Sequence, residues 1–470
     1  MVSMSEDSPT TQGHARLHKT SPAESKSTQL AKPTSTSMFA QRYGGFALRA
    51  RHFSKCAIRR SMLQASHQAT NPGLEKDDRD FTGQLNVIDP ESIPKIKTYR
   101  LLDLEGNLLD PDYKVPFTRE EATKIYRDMV TISIMDQIMY DAQRQGRLSF
   151  YMVSAGEEGI SVGSAAALKP DDQIFCQYRE QGVLLHRGAT LKELMSQLYA
   201  NADDPARGRM MPVHYQNARI NVHPISSPLT SQLPHAAGAA YALKMSGTPA
   251  ISMCYFGDGA ASEGDFHGAL NIAATRNCPV VFFCRNNGYA ISTPTEEQFR
   301  GDGIASRGAG YGIPAIRVDG NDLFAVHRVT AMAREMAVKE QRPVLIEAMS
   351  YRVSHHSTSD DSFAYRSRTE VENWKRHDNP ISRMRKWMEK QQWWSDEDEM
   401  SARHELRKDI LREFSAAEKV KLPEIKHVFT DVWAAAPAIL KEQQEELKEF
   451  LGRHKEEYNL DKYENGINGL

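Results

Sequence analysis

The chain has 470 residues, a formal net charge of −2 and a sequence pI of about 6.8. This balance provides no global field that would attract nucleic acid, so any anion-binding site must be local. The five cysteines show no C-x-x-C spacing, which argues against a disulfide framework or a zinc site. No apolar run approaches the roughly 18 residues of a membrane-spanning helix, so we expect no membrane insertion. The length suits one large α/β domain with extensions, or two or three smaller domains.

The N-terminal region differs in composition from the rest of the chain. Residues 25–74 contain no Asp or Glu, while Lys and Arg are spread among Ser, Thr, Ala and Gln. This composition is typical of an organellar transit peptide. We therefore predict that residues 1–74 are a disordered mitochondrial transit peptide that directs the protein to the mitochondrial matrix. Met38 is an alternative start, because the basic and loosely amphipathic part of the segment begins there.

An arm and a helix follow. Residues 75–117 are polar and punctuated by prolines, which predicts an extended arm without a core of its own. Thr118 and Glu121 form a T-x-x-E capping box, and apolar residues follow at helical spacing as far as Gly146. This pattern predicts an amphipathic helix at the start of the main domain.

The main domain, predicted at residues 118–380, alternates short apolar runs with helical patterns. Strands are predicted at 173–176, 251–256, 280–284, 315–318 and 344–349. Helices are predicted at 191–200, 233–245, 261–276 and 323–340. The alternation predicts an α/β fold in which a parallel sheet has helices on both faces. Interleaved charges at 381–470 predict a C-terminal helical region that packs on the domain.

The stretch GDGAASEG, residues 257–264, follows a predicted strand. It is not a dinucleotide fingerprint, because Ser262 stands where the third glycine belongs, and the chain contains no P-loop sequence. What remains is the carboxylate of Asp258 beside the backbone N–H groups of Gly259 and Ala260, which we expect at a helix N-terminus that favours anions. A carboxylate repels phosphate unless a cation lies between them. The sequence therefore predicts a site for magnesium and a phosphate group.

The second half of this site is expected at the end of the next strand. The sequence CRNNGYAIS puts Asn287 there as a neutral oxygen ligand, with the Tyr289 carbonyl as a further ligand and Arg285 placed to pair with a phosphate. Either turn alone is an ordinary turn sequence. Joined by strand, helix and strand, the pair resembles the motif that binds the magnesium diphosphate of thiamine diphosphate enzymes.

The resemblance extends well beyond that motif, over roughly residues 85–465. The chain resembles the alpha subunits of the decarboxylating component of mitochondrial branched-chain 2-oxo acid dehydrogenases at residues 149–168, 177–188, 212–242, 284–304 and 351–367. Pyruvate dehydrogenase alpha subunits are the nearest relatives of that family. They typically carry a single His flanked by Gly and Ser where this chain has HHSTSDD, which favours the branched-chain family.

The resemblance implies a set of site residues. Magnesium would be held by Asp258, Asn287 and the Tyr289 carbonyl, although many branched-chain members have Glu at the first position. A structural potassium ion would be held by Ser226, Pro228, Ser231 and Gln232. The thiamine diphosphate would be lined by Tyr178, Arg179, Ser227, Leu229, Gly259, Ala260, Arg285, Arg352 and His356. Of these, His356 would be the catalytic acid or base.

The resemblance also implies a reaction and partners. Such subunits take part in the oxidative decarboxylation of the 2-oxo acids of valine, leucine and isoleucine, with acyl transfer to a lipoyl group of an acyltransferase component. Because the chain contains one α/β domain where the family site needs two, we expect a beta subunit and an α2β2 heterotetramer. A regulatory kinase and phosphatase would act on Ser357 and Ser367.

Two other functions stay open from the sequence. A pyruvate dehydrogenase alpha subunit would perform the same chemistry on a smaller substrate. A non-catalytic cofactor-binding subunit would only organise a complex. The intact residues Asp258, Asn287, Arg179 and His356 argue against the second alternative, because degenerate homologues lose such residues freely.

Overall fold

The structure is a computed structural model that describes residues 82–470, and the predicted transit peptide at 1–74 lies outside the described residues. The strands are β1 (Thr98–Tyr99), β2 (Gln173–Phe175), β3 (Ser252–Gly257), β4 (Val280–Asn286), β5 (Tyr289–Ala290), β6 (Thr293–Pro294), β7 (Ala315–Asp319) and β8 (Val344–Met349). The helices are α1 (Arg119–Arg144), α2 (Glu158–Ala166), α3 (Gln181–His186), α4 (Leu191–Leu198), α5 (Gln232–Ser246), α6 (Gly264–Arg276), α7 (Thr295–Gln298), α8 (Arg307–Gly310), α9 (Leu323–Glu340), α10 (Arg368–His377), α11 (Pro380–Lys390), α12 (Asp396–Ala417) and α13 (Ala438–Arg453).

Six of the strands form one parallel sheet in the order β1-β7-β8-β4-β3-β2. The five predicted strands are all present within two residues of their predicted bounds, because each is an apolar run bounded by turn residues. Of the six strands in this sheet, only β1 was not predicted, and the short pair β5 and β6 outside it was not predicted either. The register pairs Gly257 of β3 with Arg285 of β4, so the two halves of the predicted site follow at the same edge of the sheet.

Helices cover both faces of the sheet, because the side chains of each strand alternate between two cores. In β3, Met253 and Tyr255 belong to the core that includes α1, α2 and α9. Cys254 and Phe256 belong to the opposite core, which includes α5 and α6. These two cores confirm the predicted α/β fold with helices on both faces.

The part of the predicted arm that the structure describes has little regular structure. It contains a short 3₁₀ helix at Pro90–Ser92 and the edge strand β1. Leu101 and Leu102 are buried, and their backbone N–H groups both donate to the carboxylate of Asp322 at 2.5 Å. The segment therefore attaches to the domain through strand pairing and backbone hydrogen bonds.

Two helix starts bear directly on the predictions. The helix α1 begins at the predicted capping box, with the Glu121 N–H donating to Thr118 Oγ1 at 3.2 Å and the Thr118 N–H donating to Glu121 Oε2 at 2.8 Å. The helix predicted at 261–276 begins three residues later, at Gly264, so the N–H groups of Gly259 and Ala260 lie at the start of a 3₁₀ turn and not at the start of α6. Ala260–Ser262 form a 3₁₀ turn whose two alanines are buried, and the extended residue Glu263 redirects the chain before α6 starts.

The C-terminal region is helical, as its charge pattern predicts. The helix α12 packs against α1, where Tyr126 donates a hydrogen bond to Glu399 at 2.8 Å. Leu406, Ile410 and Phe414 of α12 are buried in the same core as α1. Among residues 82–470, no helix combines the length and the apolar character needed to cross a membrane.

Candidate active site

Asp258 and Asn287 lie side by side at the carboxyl ends of β3 and β4. The Asp258 N–H donates to the Arg285 carbonyl at 3.2 Å, which joins the turn after β3 to the end of β4. Asp258 and Asn287 are both buried, at 2 % and 5 % exposure. Neighbouring parallel strands in register end at the same edge of a sheet, which is where α/β proteins bind ligands. The structure thus joins the two halves of the predicted magnesium site.

The oxygen atoms around Asp258 suit a hard cation. Burial raises the pKa of the Asp258 carboxyl above its ordinary value, so an added positive charge would stabilise its ionised form. Gln298 donates through Nε2 to Asp258 at 2.9 Å, while its buried Oε1 has no hydrogen-bond partner among the described residues. Within residues 82–470, no three His, Cys, Asp or Glu side chains are grouped to hold a metal. A magnesium ion here would complete its shell with phosphate and water oxygens, as this ion usually does.

Gly259 forms the tight turn after β3. A Cβ added to it would lie only 2.7 Å from the Cβ of Ala290 in β5, so glycine alone allows the two segments to approach this closely. Ala260 is buried directly behind this turn. Both residues therefore border the predicted diphosphate site, although neither is the start of an α-helix.

Arg285 lies between two buried carboxylates. Its Nη1 is 2.6 Å from Glu157 Oε2, its Nε contacts Glu180, and the three side chains are at most 2 % exposed. Burial would raise the pKa of Glu157, but the cations of Arg285 and Arg179 outweigh it and hold that pKa below its ordinary value. Arg285 Nη1 is therefore committed to Glu157 and Nε lies against Glu180, which leaves Nη2 for the predicted phosphate contact.

Two guanidinium groups flank His356. Arg179 Nη2 and Arg352 Nη1 lie 3.3 Å and 3.5 Å from His356 Nδ1. A guanidinium can only donate, so Nδ1 is an acceptor and a neutral ring carries its proton on Nε2. Burial and the two cations lower the pKa of His356 to about 3, which makes the ring neutral at physiological pH. Tyr178 packs edge-on against this ring, with centroids 6.2 Å apart. We call these four residues the arginine–histidine cluster.

Arg352 connects this cluster to the Asp258–Asn287 pair. Its backbone N–H donates to the Asn287 carbonyl at 3.3 Å, and its Nη1 donates to the Tyr289 carbonyl at 3.5 Å. Its Nη2 donates to the hydroxyl of Tyr365 at 2.7 Å. The predicted metal ligands and the cations predicted to face a diphosphate therefore form one continuous site.

The segment 226–232 forms a separate group at the start of α5. The Ser231 hydroxyl donates to the Pro228 carbonyl at 2.9 Å, and Gln232 Nε2 donates to the Tyr255 carbonyl of β3 at 3.1 Å. The first bond joins two of the four predicted potassium ligands, and the second ties Gln232 to the sheet. In the described part of the chain, no hydrogen bond joins the segment to the arginine–histidine cluster.

The predicted cofactor residues in this segment are exposed. Leu229 has 37 % of its surface exposed, and the neighbouring Ser227 and Pro228 are exposed as well, whereas Ser226 is half-buried. The hydroxyl of Ser227 contacts a buried histidine, His214, at 2.8 Å. This face is therefore open at the point where the sequence predicts contact with the cofactor.

The two predicted phosphorylation sites lie in different surroundings. Ser357 follows His356, is 9 % exposed, and accepts a hydrogen bond from the Ser359 N–H at 3.2 Å. Ser367 is exposed and caps α10, where its hydroxyl accepts from the Glu370 N–H at 3.1 Å. A phosphate on Ser357 would therefore add charge beside the site, whereas one on Ser367 would lie at a helix start.

Sequence reasoning missed several residues of the site. Glu157, His214 and Gln298 contact predicted site residues. Asp360 accepts both the His356 N–H and the Tyr365 hydroxyl at 2.7 Å. Only Glu157 carried a usable signal, since two consecutive acids stand in the otherwise small and apolar stretch SAGEEGISVGSAAAL.

The sheet and the site at its carboxyl edge define an α/β protein of the thiamine diphosphate-binding class. A family model described as "Dehydrogenase E1 component" matches residues 126–426. The chain therefore belongs to the dehydrogenase E1 component family, whose members use thiamine diphosphate.

Individual relatives are similar over most of their length. The chain is 52 % identical over 385 residues to the mitochondrial 2-oxoisovalerate dehydrogenase subunit alpha of Mus musculus, which covers 82 % of this chain and 87 % of the mouse protein. It is 52 % identical over 381 residues to the protein of that name from Caenorhabditis elegans, with coverages of 81 % and 88 %. It is 50 % identical over 381 residues to subunit alpha 2 from Arabidopsis thaliana, with 81 % of each chain covered.

Proposed function

We propose that this chain is the alpha subunit of a mitochondrial 2-oxoisovalerate dehydrogenase, the activity classified as EC 1.2.4.4. The observation that carries the proposal is the continuous site formed by the Asp258–Asn287 pair and the arginine–histidine cluster. The substrates are branched-chain 2-oxo acids, and the acyl product passes to a lipoyl group of an acyltransferase component. The names of the relatives support both this reaction and a location in the mitochondrial matrix.

The cofactor would be held through its charged end. When bound, thiamine diphosphate supplies the carbon nucleophile and the electron sink for decarboxylation. Asp258, Asn287 and the Tyr289 carbonyl would hold magnesium against the diphosphate, and Arg179 and Arg352 would add positive charge. Their mutual contacts through His356 fix these cations in place.

His356 would act on the reacting oxygen atoms. Because its Nδ1 faces the two guanidinium groups, Nε2 is the atom left to hold a proton or to pass it on. The Asp360 carboxylate accepts a hydrogen bond from the backbone N–H of His356 at 2.7 Å and so fixes the loop that carries the ring. A positioned acid or base of this kind contributes roughly 100- to 10,000-fold to a rate.

The active complex would also need a beta subunit. The described chain contains one α/β sheet, whereas the family resemblance calls for a second domain that binds the other end of the cofactor and supplies the activating glutamate. We propose an α2β2 heterotetramer that works with the acyltransferase component. A structural potassium ion would be held by the segment 226–232, where the Ser231 hydroxyl and the Pro228 carbonyl lie 2.9 Å apart.

Regulation by a kinase and a phosphatase would act through the loop that carries His356. About two negative charges on Ser357 would lie next to the arginine–histidine cluster and compete with the diphosphate. Because Ser357 is buried, the loop must open before a kinase can reach it. Phosphopeptide mapping tests this proposal, and finding both Ser357 and Ser367 unmodified in the inactive enzyme would contradict it.

The test of function is decarboxylation by the chain co-expressed with its beta subunit. We expect the pair, but not the single chain, to decarboxylate 3-methyl-2-oxobutanoate much faster than pyruvate. Faster turnover of pyruvate would identify a pyruvate dehydrogenase subunit instead. A complex that binds thiamine diphosphate but turns over neither acid would identify a non-catalytic organising subunit.

A further inference from the structure

Glu157 bridges two residues of the predicted site. Its Oε1 accepts a hydrogen bond from Asn287 Nδ2 at 2.6 Å, and its Oε2 accepts from Arg285 Nη1 at 2.6 Å. The residue is 1 % exposed and lies at the start of α2, 130 positions before Asn287 in the sequence. The predicted reaction gives Glu157 no role of its own.

This contact decides which way the Asn287 amide faces. A carboxylate that is ion-paired with Arg285 accepts hydrogen bonds and cannot donate them, so the atom of Asn287 beside Glu157 must be the nitrogen. The amide oxygen then lies on the other side, where its partner in the described chain is the Tyr289 N–H at a long 3.3 Å. This one long contact leaves the oxygen available to a further ligand at the end of β4.

We propose that Glu157 is a positioning residue for the metal, because it holds the Asn287 amide with its oxygen facing the ion and its nitrogen facing away. The inference rests on the proposed function, which supplies the magnesium. The role matches the way in which outer-shell partners orient metal ligands elsewhere, where their loss lowers metal affinity about 10- to 100-fold.

The variant Glu157→Gln tests the orientation directly. Arg285 Nη1 requires an acceptor, so the new carboxamide would turn its oxygen towards Arg285 and its NH₂ group towards the NH₂ group of Asn287. Asn287 relieves this clash by flipping, which points its nitrogen at the metal. We expect the affinity for Mn²⁺, measured by electron paramagnetic resonance with thiamine diphosphate on the complex with the beta subunit, to fall at least tenfold.

The variant Glu180→Gln is the matched control. Glu180 also pairs with Arg285 and is as buried as Glu157, but it does not contact Asn287 in the described structure. Glu180→Gln removes one negative charge beside Arg285, as Glu157→Gln does, so we expect the Mn²⁺ affinity of the complex to fall by less than about threefold. Equal losses in the two variants would mean that local charge, and not amide orientation, governs binding, and would overturn the inference.

A second substitution should restore binding. In Glu157→Gln/Asn287→Asp, the new carboxylate accepts from the Gln NH₂ group and still offers an oxygen to the metal. We expect an Mn²⁺ affinity within about threefold of the wild type, whereas Asn287→Asp alone sets two buried carboxylates against each other and destabilises the complex. If the Glu157→Gln chain fails to assemble with the beta subunit, the inference is tested by comparing the Mn²⁺ affinity of Asn287→Asp with that of the double variant. A double variant no better than Asn287→Asp overturns the inference.

The inference and the proposed function fail in different ways. A wild-type complex that binds thiamine diphosphate equally well without a divalent ion contradicts the proposed metal site. If cofactor binding by the wild-type complex depends on the metal but Glu157→Gln leaves the Mn²⁺ affinity unchanged, only the role of Glu157 is contradicted.

Discussion

The hydroxyl of Ser227 lies 2.8 Å from Nε2 of the buried His214. The other ring nitrogen, Nδ1, lies 3.1 Å from the Pro212 carbonyl, which can only accept a hydrogen bond. Nδ1 therefore carries the ring proton and Nε2 accepts the Ser227 proton. This leaves the oxygen lone pairs of Ser227 free to accept a hydrogen bond from a ligand on the exposed side.

We predict that His214 and Ser227 act as a unit in cofactor binding. Either His214→Phe or Ser227→Ala should weaken thiamine diphosphate binding by about 3- to 10-fold, the range expected for one hydrogen bond. The double variant should be little weaker than the single ones, because both remove the same interaction. Quenching of tryptophan fluorescence by the cofactor measures this, and full additivity would contradict the coupling.

Gly156 should be intolerant of a side chain. Its φ of +94° is in the left-handed region, and an added Cβ would lie 2.3 Å from the carbonyl oxygen of Tyr351. We expect Gly156→Ala to destabilise the protein by more than about 2 kcal/mol, because the loop that leads to His356 must move. Gly146→Ala is the control: its φ is +76°, but no atom lies within 4 Å of the added Cβ, so the cost should be about 1 kcal/mol. Thermal unfolding measures both, and equal losses would contradict the steric account.

Glu158 should make stability depend on pH. Burial raises its pKa from 4.5 to about 8. The folded chain then holds a proton that the unfolded chain has lost, so the stabilisation is complete below 4.5 and disappears as the pH rises through about 8. Glu158→Gln cannot ionise and still offers an oxygen to the Gly156 N–H. We expect the melting temperature of the variant, relative to the wild type, to increase from about pH 5 to about pH 8.5. A constant difference would mean that Glu158 is ionised in the folded protein.

His356 should be needed for turnover at a pH where it is neutral. We expect His356→Gln to lower the turnover of the complex roughly 100- to 10,000-fold. Because the pKa of His356 is lowered to about 3, its protonation should cause no loss of activity between about pH 8 and pH 6. His355→Gln is the control, since His355 accepts the Ser362 N–H at 2.9 Å and supports the same loop. If His355→Gln lowers turnover as much as His356→Gln does, the loss reflects disruption of the loop and not the missing His356 ring.

Much of the fold could be predicted because its signals are local. The strands β3 and β4 are apolar runs bounded by turns, and the capping box of Thr118 marks the start of α1. Strand β1 could not be predicted, because it has only two residues and pairs with β7 more than 200 positions later. The start of α6 was missed because the preceding 3₁₀ turn depends on packing against the sheet.

The site was predictable where the strand ends themselves fix it. Asp258 and Asn287 follow neighbouring strands, so their proximity follows from the fold. The contacts of Glu157 with Asn287 and of Glu180 with Arg285 could not be read from the sequence, because the residues come together only when α2 and α3 pack beside the sheet. For the same reason, the sequence could not predict that Arg285 lies between two carboxylates.

The most direct test of the account is the position of the metal. Crystals of the complex with the beta subunit, grown with thiamine diphosphate and Mn²⁺, would give an anomalous signal at the metal. We predict one peak about 2.1 Å from a carboxylate oxygen of Asp258, Asn287 Oδ1 and the Tyr289 carbonyl oxygen. A bound cofactor whose metal peak lies away from Asp258 and Asn287 would contradict the account.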